Sequence, residues 1–313
     1  MAVTSYALSE PRAGASQRGP LTRMLEDERW LALVLLLPTL VLLGLFIAYP
    51  FVKGVELSVT DTKVGVAGSF VGLSNFAALA NDSIFRTAVW NTCVYTVVTT
   101  VFKLGLGLWL ALLLNRHFKG KALTRAFILL PFIIPTVLST FAWKWMFDPT
   151  FSVINWTLFR LGLIHGRINW LGEPGLALIS VMIVNIWRGV PFYAISLLAG
   201  LQTISPELHE AAAIDGARAW HRFWHVTWPL LLPVTMVVVL FSVIQTFSDF
   251  QLVYVLTGGG PANSTQLFAT YAYQIGVGTG LLSQGAAISL AMFPVLLLVV
   301  IVQLLYIRRV ETL

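Results

Sequence analysis

Six long apolar segments constrain the fold of this chain more than any other feature of its sequence. A helix that crosses a bilayer needs roughly 20 apolar residues, and the windows that qualify lie at about residues 31–51, 90–114, 125–147, 175–200, 229–250 and 286–307. Since 57% of the 313 residues are hydrophobic and only 11% are charged, an ordinary water-soluble domain is excluded. We therefore predict an all-α membrane protein with six transmembrane helices, because backbone polar groups in hydrocarbon must be paired within their own segment.

The basic residues are distributed unevenly among the segments that join these windows. Twelve lie on one side of the predicted membrane: Arg12, Arg18, Arg23, Arg29, Arg116, Lys119, Lys121, Arg125, Arg218, Arg222, Arg308 and Arg309. Five lie on the other side: Lys53, Lys63, Arg86, Arg160 and Arg167. Because cytoplasmic loops carry an excess of Lys and Arg, we expect both termini to be cytoplasmic. The net charge of +6 follows from this bias, so we infer no nucleic-acid partner from it.

The segments outside the windows predict a simple domain organisation. Residues 1–29 combine Ser, Gly, Pro and mixed charge, which is typical of a loose cytoplasmic tail, and residues 30–313 would form one transmembrane domain. No signal-peptide cleavage site follows the first window, so we expect that window to be retained. Cys93 is the only cysteine, which excludes an internal disulfide and a cysteine-based metal cluster.

Two longer polar segments, at about residues 51–89 and 148–174, are expected to lie outside the cytoplasm. The second of them carries Trp156, Phe159 and Trp170. Aromatic side chains of this kind are enriched at the membrane–water interface, so we predict that all three are interface aromatics.

A polar segment between the fourth and fifth windows has the pattern of a helix-turn-helix. Residues 210–217 read Glu-Ala-Ala-Ala-Ile-Asp-Gly-Ala, and residues 228–233 read Trp-Pro-Leu-Leu-Leu-Pro. Ser205 can cap a first short helix, which would end at Glu210. Gly216 permits the turn into a second helix, which would run toward the following window. The charge bias places this segment in the cytoplasm.

The spacing of that segment resembles the EAA loop, here about residues 205–233, of ATP-binding-cassette importer permeases, specifically the binding-protein-dependent carbohydrate permeases. A second signature of the family, Leu-Thr-Gly-Gly-Gly-Pro, stands at residues 256–261, and the resemblance extends from about Trp30 to Arg309. It implies the fold of a type I importer permease and a place in the bacterial cytoplasmic (inner) membrane. It also implies four partners: a second homologous permease subunit, a homodimeric ABC ATPase, an extracytoplasmic substrate-binding protein and the lipid bilayer.

The sequence has no Gly-x-x-x-x-Gly-Lys-Ser/Thr phosphate-binding loop. We therefore expect no catalytic residue, no metal site and no cofactor in this chain, with ATP and Mg bound by the partner ATPase. The resemblance implies that the loop couples the two proteins, Glu210 offering a carboxylate to a basic cleft while small neighbours allow close approach. The residues assigned to coupling are Glu210, Ala211, Ala212, Asp215 and Gly216. The alternative is that the two acidic residues merely form a solvated helical face.

Polar side chains inside the apolar windows predict a substrate pathway. A charged side chain costs at least ~2.5 kcal/mol at the centre of a membrane helix, yet Arg188 stands in the fourth window, where Gly189 and Pro191 are expected to loosen the helix. The fifth window offers a polar stripe on one helix face. Carbohydrate permeases of this type line their pocket from these two segments. The resemblance therefore assigns the pocket to Asn185, Arg188, Gly189, Phe192, Ser242, Gln245, Thr246 and Asp249.

Several alternatives stay open for these residues. Phe192 or Trp187 could stack on the apolar face of a sugar. Arg188 and Asp249 could instead neutralise each other, or pair with a partner subunit. Lys103, in the second window, matches no motif, and we expect it to pair with another helix or another subunit. The identity of the cargo also stays open, since it could be a monosaccharide, a disaccharide, a polyol or a glycerophosphodiester. The Leu-Thr-Gly-Gly-Gly-Pro motif is expected either to close the outer mouth as a tight turn or to form a plain loop.

Two other classes of protein fit the sequence less well. An ion-coupled secondary transporter, the main alternative, predicts acidic residues within the windows, and the only candidate, Asp249, stands at an outer end. An intramembrane enzyme predicts a motif such as His-Glu-x-x-His or Gly-x-Ser-x-Gly, and neither occurs. We therefore expect a permease that works by alternating access and is driven by ATP hydrolysis on another subunit.

Overall fold

The structure is a computed structural model that describes residues 28–311. Within that range the regular structure is helical, apart from two isolated β-bridges. The α-helices are α1 Glu28–Leu43, α2 Tyr49–Ser58, α3 Ser74–Asn81, α4 Ser83–Asn115, α5 Lys121–Ile133, α6 Thr136–Met146, α7 Val153–Arg160, α8 Pro174–Thr203, α9 Pro206–Ile214, α10 Ala219–Arg222, α11 Trp228–Phe247, α12 Gln251–Leu256, α13 Phe268–Tyr273 and α14 Leu282–Glu311. The predicted tail, residues 1–29, lies outside the described residues except for its last two.

The chain divides into two compact units, and the boundary along the sequence falls between Lys53 and Gly54. The described part of the first unit holds α1, a π-helical turn at Gly44–Ala48 and the beginning of α2. Its described side chains are exposed and mostly apolar. The second unit holds every other element, including both segments to which the sequence assigned function.

Within residues 28–311, five helical runs are long and apolar enough to cross a membrane. They are Arg29–Ser58, Ser83–Asn115, Pro174–Thr203, Ala219–Phe247 and Leu282–Tyr306, and they overlap the first, second, fourth, fifth and sixth predicted windows. The helices extend past the apolar windows because local capping decides where a helix begins. At the start of α4, for example, the Asp82 side chain accepts hydrogen bonds from the backbone N–H groups of Ile84 and Phe85.

The third predicted window, at about residues 125–147, is two helices in the structure. α5 ends at Ile133, α6 begins at Thr136, and the two are bent by 90°. Pro135 is the cause, because its ring disfavours the α conformation of the preceding residue. Ile134 is accordingly extended, with ψ at 131°. The predicted third span is therefore a bent helix pair, and the chain turns sharply at a point that borders the candidate site.

The core of the second unit is built around α4 and α8, which form the most extensive helix pair, and α11 packs against both. Close approach depends on Gly107, where a Cβ would overlap the Cβ of Tyr193. Two apolar clusters lie along this pair, one containing Tyr95 and Val181 and the other containing Leu231. Many large apolar side chains on the outward helix faces are exposed, as expected where lipid is the solvent.

The Leu-Thr-Gly-Gly-Gly-Pro motif forms a tight turn after α12. Gly258 and Gly259 take positive φ angles of 63° and 91°, which glycine adopts without steric cost. The Thr265 hydroxyl donates to the carbonyl of Gly260 at 2.7 Å, and Asn91 of α4 donates to the carbonyl of Ser264 at 2.8 Å. The turn is therefore fixed to α4, and none of its six residues lines the polar cavity described below.

Trp170, one of the three candidate interface aromatics, packs partly into the protein. It is half-buried, its ring centroid is 5.9 Å from that of Phe147, and its Nε1 donates to Oδ1 of Asn155 at 2.8 Å. Trp156 and Phe159 remain exposed. Trp170 can be more buried than the other two aromatic residues because a buried acceptor receives the hydrogen bond of its indole N–H. A buried indole N–H needs such a partner.

Asp82 also ties the start of α4 to α13. Its carboxylate accepts a hydrogen bond from the Tyr271 hydroxyl. Burial, together with the neighbouring Asp82 carboxylate, raises the pKa of Tyr271 well above its ordinary value. The hydroxyl therefore keeps its proton and remains a donor throughout the physiological pH range.

Candidate functional site

A polar cavity of about 630 Å³ lies among the helices of the second unit. All eight residues that the sequence assigned to a pocket line it: Asn185, Arg188, Gly189, Phe192, Ser242, Gln245, Thr246 and Asp249. Seven further residues complete the lining: Lys103, Phe132, Thr136, Phe241, Ser248, Phe250 and Gln251. The structure thus places side chains from the two predicted segments around one cavity. Their role as a substrate pathway stays a prediction.

Helical spacing explains why these side chains converge. The four lining residues of α8 stand at relative positions 0, 3, 4 and 7 and share one face. α8 is continuous through Gly189 and Pro191, so the expected loosening of the helix does not occur. A proline in a membrane helix removes only one backbone hydrogen bond, and neighbouring helices compensate for it. Asp249 lies two residues beyond the end of α11, in the break before α12.

Lys103, predicted to pair with another helix or another subunit, is the centre of a hydrogen-bond network between helices on the cavity wall. Its Nζ donates to Oδ1 of Asn185 at 3.0 Å and to Oγ1 of Thr246 at 2.7 Å. Asn185 Nδ2 donates in turn to Oδ2 of Asp249 at 3.1 Å, and the Tyr95 hydroxyl donates to the same oxygen at 2.8 Å. Lys103 is only 3% exposed. The Asn185 amide therefore bridges a buried ammonium group and a carboxylate, so both charges are compensated.

The sequence carried one signal for Lys103, the cost of a charge inside an apolar window. It carried no signal for the partners, because Asn185 and Thr246 lie 82 and 143 residues away along the chain. Only the packing of α4 between α8 and α11 reveals them.

Arg188 and Asp249 do not neutralise each other through a direct contact. The carboxylate of Asp249 is bonded to Tyr95 and Asn185. Arg188 has a buried Nε without a hydrogen-bond partner, and the described range, residues 28–311, gives its guanidinium no ion pair. Of the two alternatives that the sequence left open for Arg188, internal pairing with Asp249 is thus not formed.

An aromatic wall of phenylalanine side chains also lines the cavity. Phe192 stacks on Phe132 of α5, with ring centroids 5.8 Å apart and planes at 20°, and its centroid is 5.4 Å from that of Phe241. The turn at Pro135 borders this wall. Trp187, the other candidate for stacking on a sugar, does not line the polar cavity. It packs at 5.4 Å against Trp143 beside a separate apolar cavity.

The segment predicted to couple the chain to an ATPase begins as expected. The Ser205 hydroxyl accepts the N–H of Glu207 at 3.3 Å, so it caps α9. The helix does not end at Glu210 as predicted, but continues to Ile214. The reason is local, since three alanines follow Glu210 and alanine has the highest helix propensity. Gly216 then makes the turn with φ at 81°.

The coupling segment presents an exposed surface and leads directly into a membrane helix. Glu210, Ala211 and Asp215 are exposed, whereas Ala212 is partly buried. The Glu210 carboxylate forms no hydrogen bond or ion pair with any residue that the structure describes. After α10, a π-helical turn at Phe223–Thr227 continues into α11 without a break. A displacement of this segment would therefore be transmitted to α11, which contributes four of the fifteen residues that line the cavity.

Comparison with known proteins agrees with this architecture. The family model described as "Binding-protein-dependent transport system inner membrane component" matches residues 103–312. The sulfoquinovosyl glycerol transport system permease protein SmoG of Agrobacterium fabrum is 37% identical over 290 residues, which are 92% of this chain and 94% of that protein. The trehalose/maltose transport system permease protein MalF of Thermococcus litoralis is 35% identical over 278 residues, 88% of this chain and 93% of that protein.

Among solved structures, a chain of a bacterial ABC transporter involved in the import of the acidic polysaccharide alginate has the same fold. The TM-score is 0.78 at 24% sequence identity, and the match covers 93% of this chain and 99% of that chain. Membrane-spanning helices around a polar cavity, with an exposed helix-turn-helix, define a multi-pass inner-membrane transport protein. The chain belongs to the family of binding-protein-dependent transport system inner membrane components. Its fold is that of the type I ABC importer permeases.

Proposed function

We propose that this chain is the permease subunit through which a carbohydrate crosses the cytoplasmic membrane during ATP-driven import. The cavity carries the proposal, because its lining combines a polar wall of hydrogen-bonding side chains with an aromatic wall of phenylalanine rings. Sugars have both kinds of surface, hydroxyl groups at the ring edge and apolar C–H faces. The names of two relatives, a trehalose/maltose permease and a sulfoquinovosyl glycerol permease, support a cargo that contains a sugar.

The polar wall retains hydrogen-bonding capacity for a ligand. Gln245 and Gln251 line the cavity with exposed side chains, and their amides form no hydrogen bond with another described residue. A sugar that leaves water must recover the hydrogen bonds it gives up, since an unpaired buried hydroxyl costs about 1–3 kcal/mol. Phe192, at the centre of the aromatic wall, would cover the apolar face of the ring.

The proposed transport requires partners that supply energy and cargo. We infer a second homologous permease subunit, a homodimeric ATPase that binds ATP and Mg, and an extracytoplasmic binding protein. Glu210 is exposed and uncompensated within the described chain, which suits a carboxylate that docks on a basic cleft. Ala211 and Ala212 would allow close approach, and Asp215 and Gly216 would fix the turn. The charge bias favours cytoplasmic termini.

The ion-coupled alternative depends on Asp249. A carboxylate that binds and releases an ion must exchange its partners, whereas this one is held by Tyr95, Asn185 and the backbone N–H of Leu252. Membership of a binding-protein-dependent family also favours ATP as the energy source.

Reconstitution tests the proposal. The full chain would be incorporated into proteoliposomes with a second permease and the ATPase, with the binding protein outside and ATP within. We expect uptake of radiolabelled sugar that requires ATP and the binding protein and is insensitive to a protonophore. Uptake that persists without ATP and collapses with a protonophore would contradict the proposal and favour ion coupling.

A further inference from the structure

The three charged side chains that line the polar cavity do not balance. Lys103 and Arg188 are cationic, and Asp249 is anionic. The ammonium of Lys103 and the carboxylate of Asp249 bond to opposite ends of the Asn185 amide, so these two charges compensate each other. The surplus positive charge is that of Arg188.

Asp249 forms no hydrogen bond with Arg188, although the two opposite charges attract each other through space. One carboxylate oxygen accepts from Tyr95 at 2.8 Å and from Asn185 at 3.1 Å. The other accepts from the backbone N–H of Leu252 at 3.4 Å. Both oxygens of the Asp249 carboxylate therefore accept hydrogen bonds from residues other than Arg188.

Arg188 is partly buried, and no described residue accepts a hydrogen bond from its guanidinium group. Its Nε is buried and unbonded, and within residues 28–311 no acceptor pairs with the group. An uncompensated charge costs free energy in a low-dielectric site. The guanidinium presents its donors as a planar fork, and this geometry matches the paired oxygens of a carboxylate, sulfonate or phosphate.

We propose that the cavity selects saccharides that carry an anionic oxygen group, and that Arg188 binds this group. The inference rests on the proposed function, because it presupposes that the cavity receives a sugar. Phe192 stands four residues after Arg188 on the same face of α8. One helix face thus offers an aromatic surface for the ring and, one turn away, a cation for its substituent.

Equilibrium binding to the purified complex of full-length permease, second permease and ATPase tests the inference. The binding protein is omitted so that its own selectivity does not enter. The radiolabelled probes are D-glucuronate, D-glucose 6-sulfate and D-glucose 6-phosphate, compared with neutral D-glucose. We expect at least one anionic probe to bind about tenfold more tightly than glucose, the size typical of hydrogen bonds to charged groups.

Variants assign that preference to Arg188. In Arg188→Gln the preferred anionic probe should fall to the affinity of glucose, whereas Arg188→Lys should keep part of the preference. Arg160→Gln is the matched control, because Arg160 is exposed beside Trp156 on α7, away from the cavity, and the preference should be unchanged.

The outcomes separate this inference from the proposed function. If wild type binds glucose as tightly as every anionic probe, Arg188 instead serves the fold or a carboxylate of another subunit. The inference is then overturned while sugar import stands. If no saccharide binds, neutral or anionic, the proposed function fails and the inference falls with it.

Discussion

The side chain of Lys103 lies across Gly189, so closely that a Cβ at position 189 would overlap Cδ of the lysine. Gly189 is therefore required for its lack of a side chain and not for flexibility, since α8 stays helical through it and its φ is not positive. The contact allows Nζ of Lys103 to reach both Asn185 and Thr246. A pair of residues on different helices thus sets the geometry of the whole polar wall.

Gly189→Ala should displace Lys103 and disrupt the polar wall. Forcing an extra methyl group into a packed site typically costs about 1–3 kcal/mol, so we expect a lower thermal unfolding midpoint and reduced sugar uptake. Gly105→Ala on α4 is the matched control, because a Cβ there meets no atom within 4 Å. Equal loss in both variants would show that the contact with Lys103 has no special role.

Lys103→Met should destabilise the chain by leaving the Asp249 carboxylate uncompensated. Removing one member of a buried charge pair typically costs about 3–5 kcal/mol. The double variant Lys103→Met with Asp249→Asn removes both charges and should recover much of the thermal stability. Stabilities of the wild type, both single variants and the double variant form a cycle that measures the coupling. Strictly additive effects would contradict the network.

Glu210→Lys should uncouple the permease from its ATPase. If the carboxylate docks on a basic cleft, the substitution replaces attraction by repulsion, which costs several kcal/mol at a desolvated contact. We expect normal membrane abundance, weaker co-purification of the ATPase and loss of ATP hydrolysis stimulated by the binding protein. Glu207→Lys provides the same charge change on the same helix and should act weakly. Wild-type uptake by Glu210→Lys would show that the segment is only a connector.

Reporter fusions test the orientation that the charge bias predicts. A periplasmically active enzyme fused after Gly68 or Gly172 should be active, and fusion after Gly120 or Gly216 should be silent. Cytoplasmic reporters should give the reverse pattern. Activity after Gly216 would place the coupling segment outside the cytoplasm and exclude an ATPase as its partner.

Sequence alone determined the features that depend on local pattern. The apolar windows predicted all-helical membrane structure because hydrocarbon leaves the backbone no other partner. Ser205 predicted the start of α9 and Gly216 the turn after it, since capping and positive φ are properties of a few neighbouring residues. The break at Pro135 was also local, but the continuous apolar composition of the window concealed it.

The tertiary structure determined the features of the site that depend on which helices pack against each other. Trp187 and Phe192 are both aromatic residues on α8, yet only Phe192 lines the polar cavity, because the neighbouring helices determine what each face meets. The sequence showed that Lys103 was costly without showing its partners, which stand on two other helices. Long-range packing of α4, α8 and α11 brings an ammonium, an amide and a carboxylate within hydrogen-bond distance, and it leaves the buried Nε of Arg188 without a hydrogen-bond partner in the described chain.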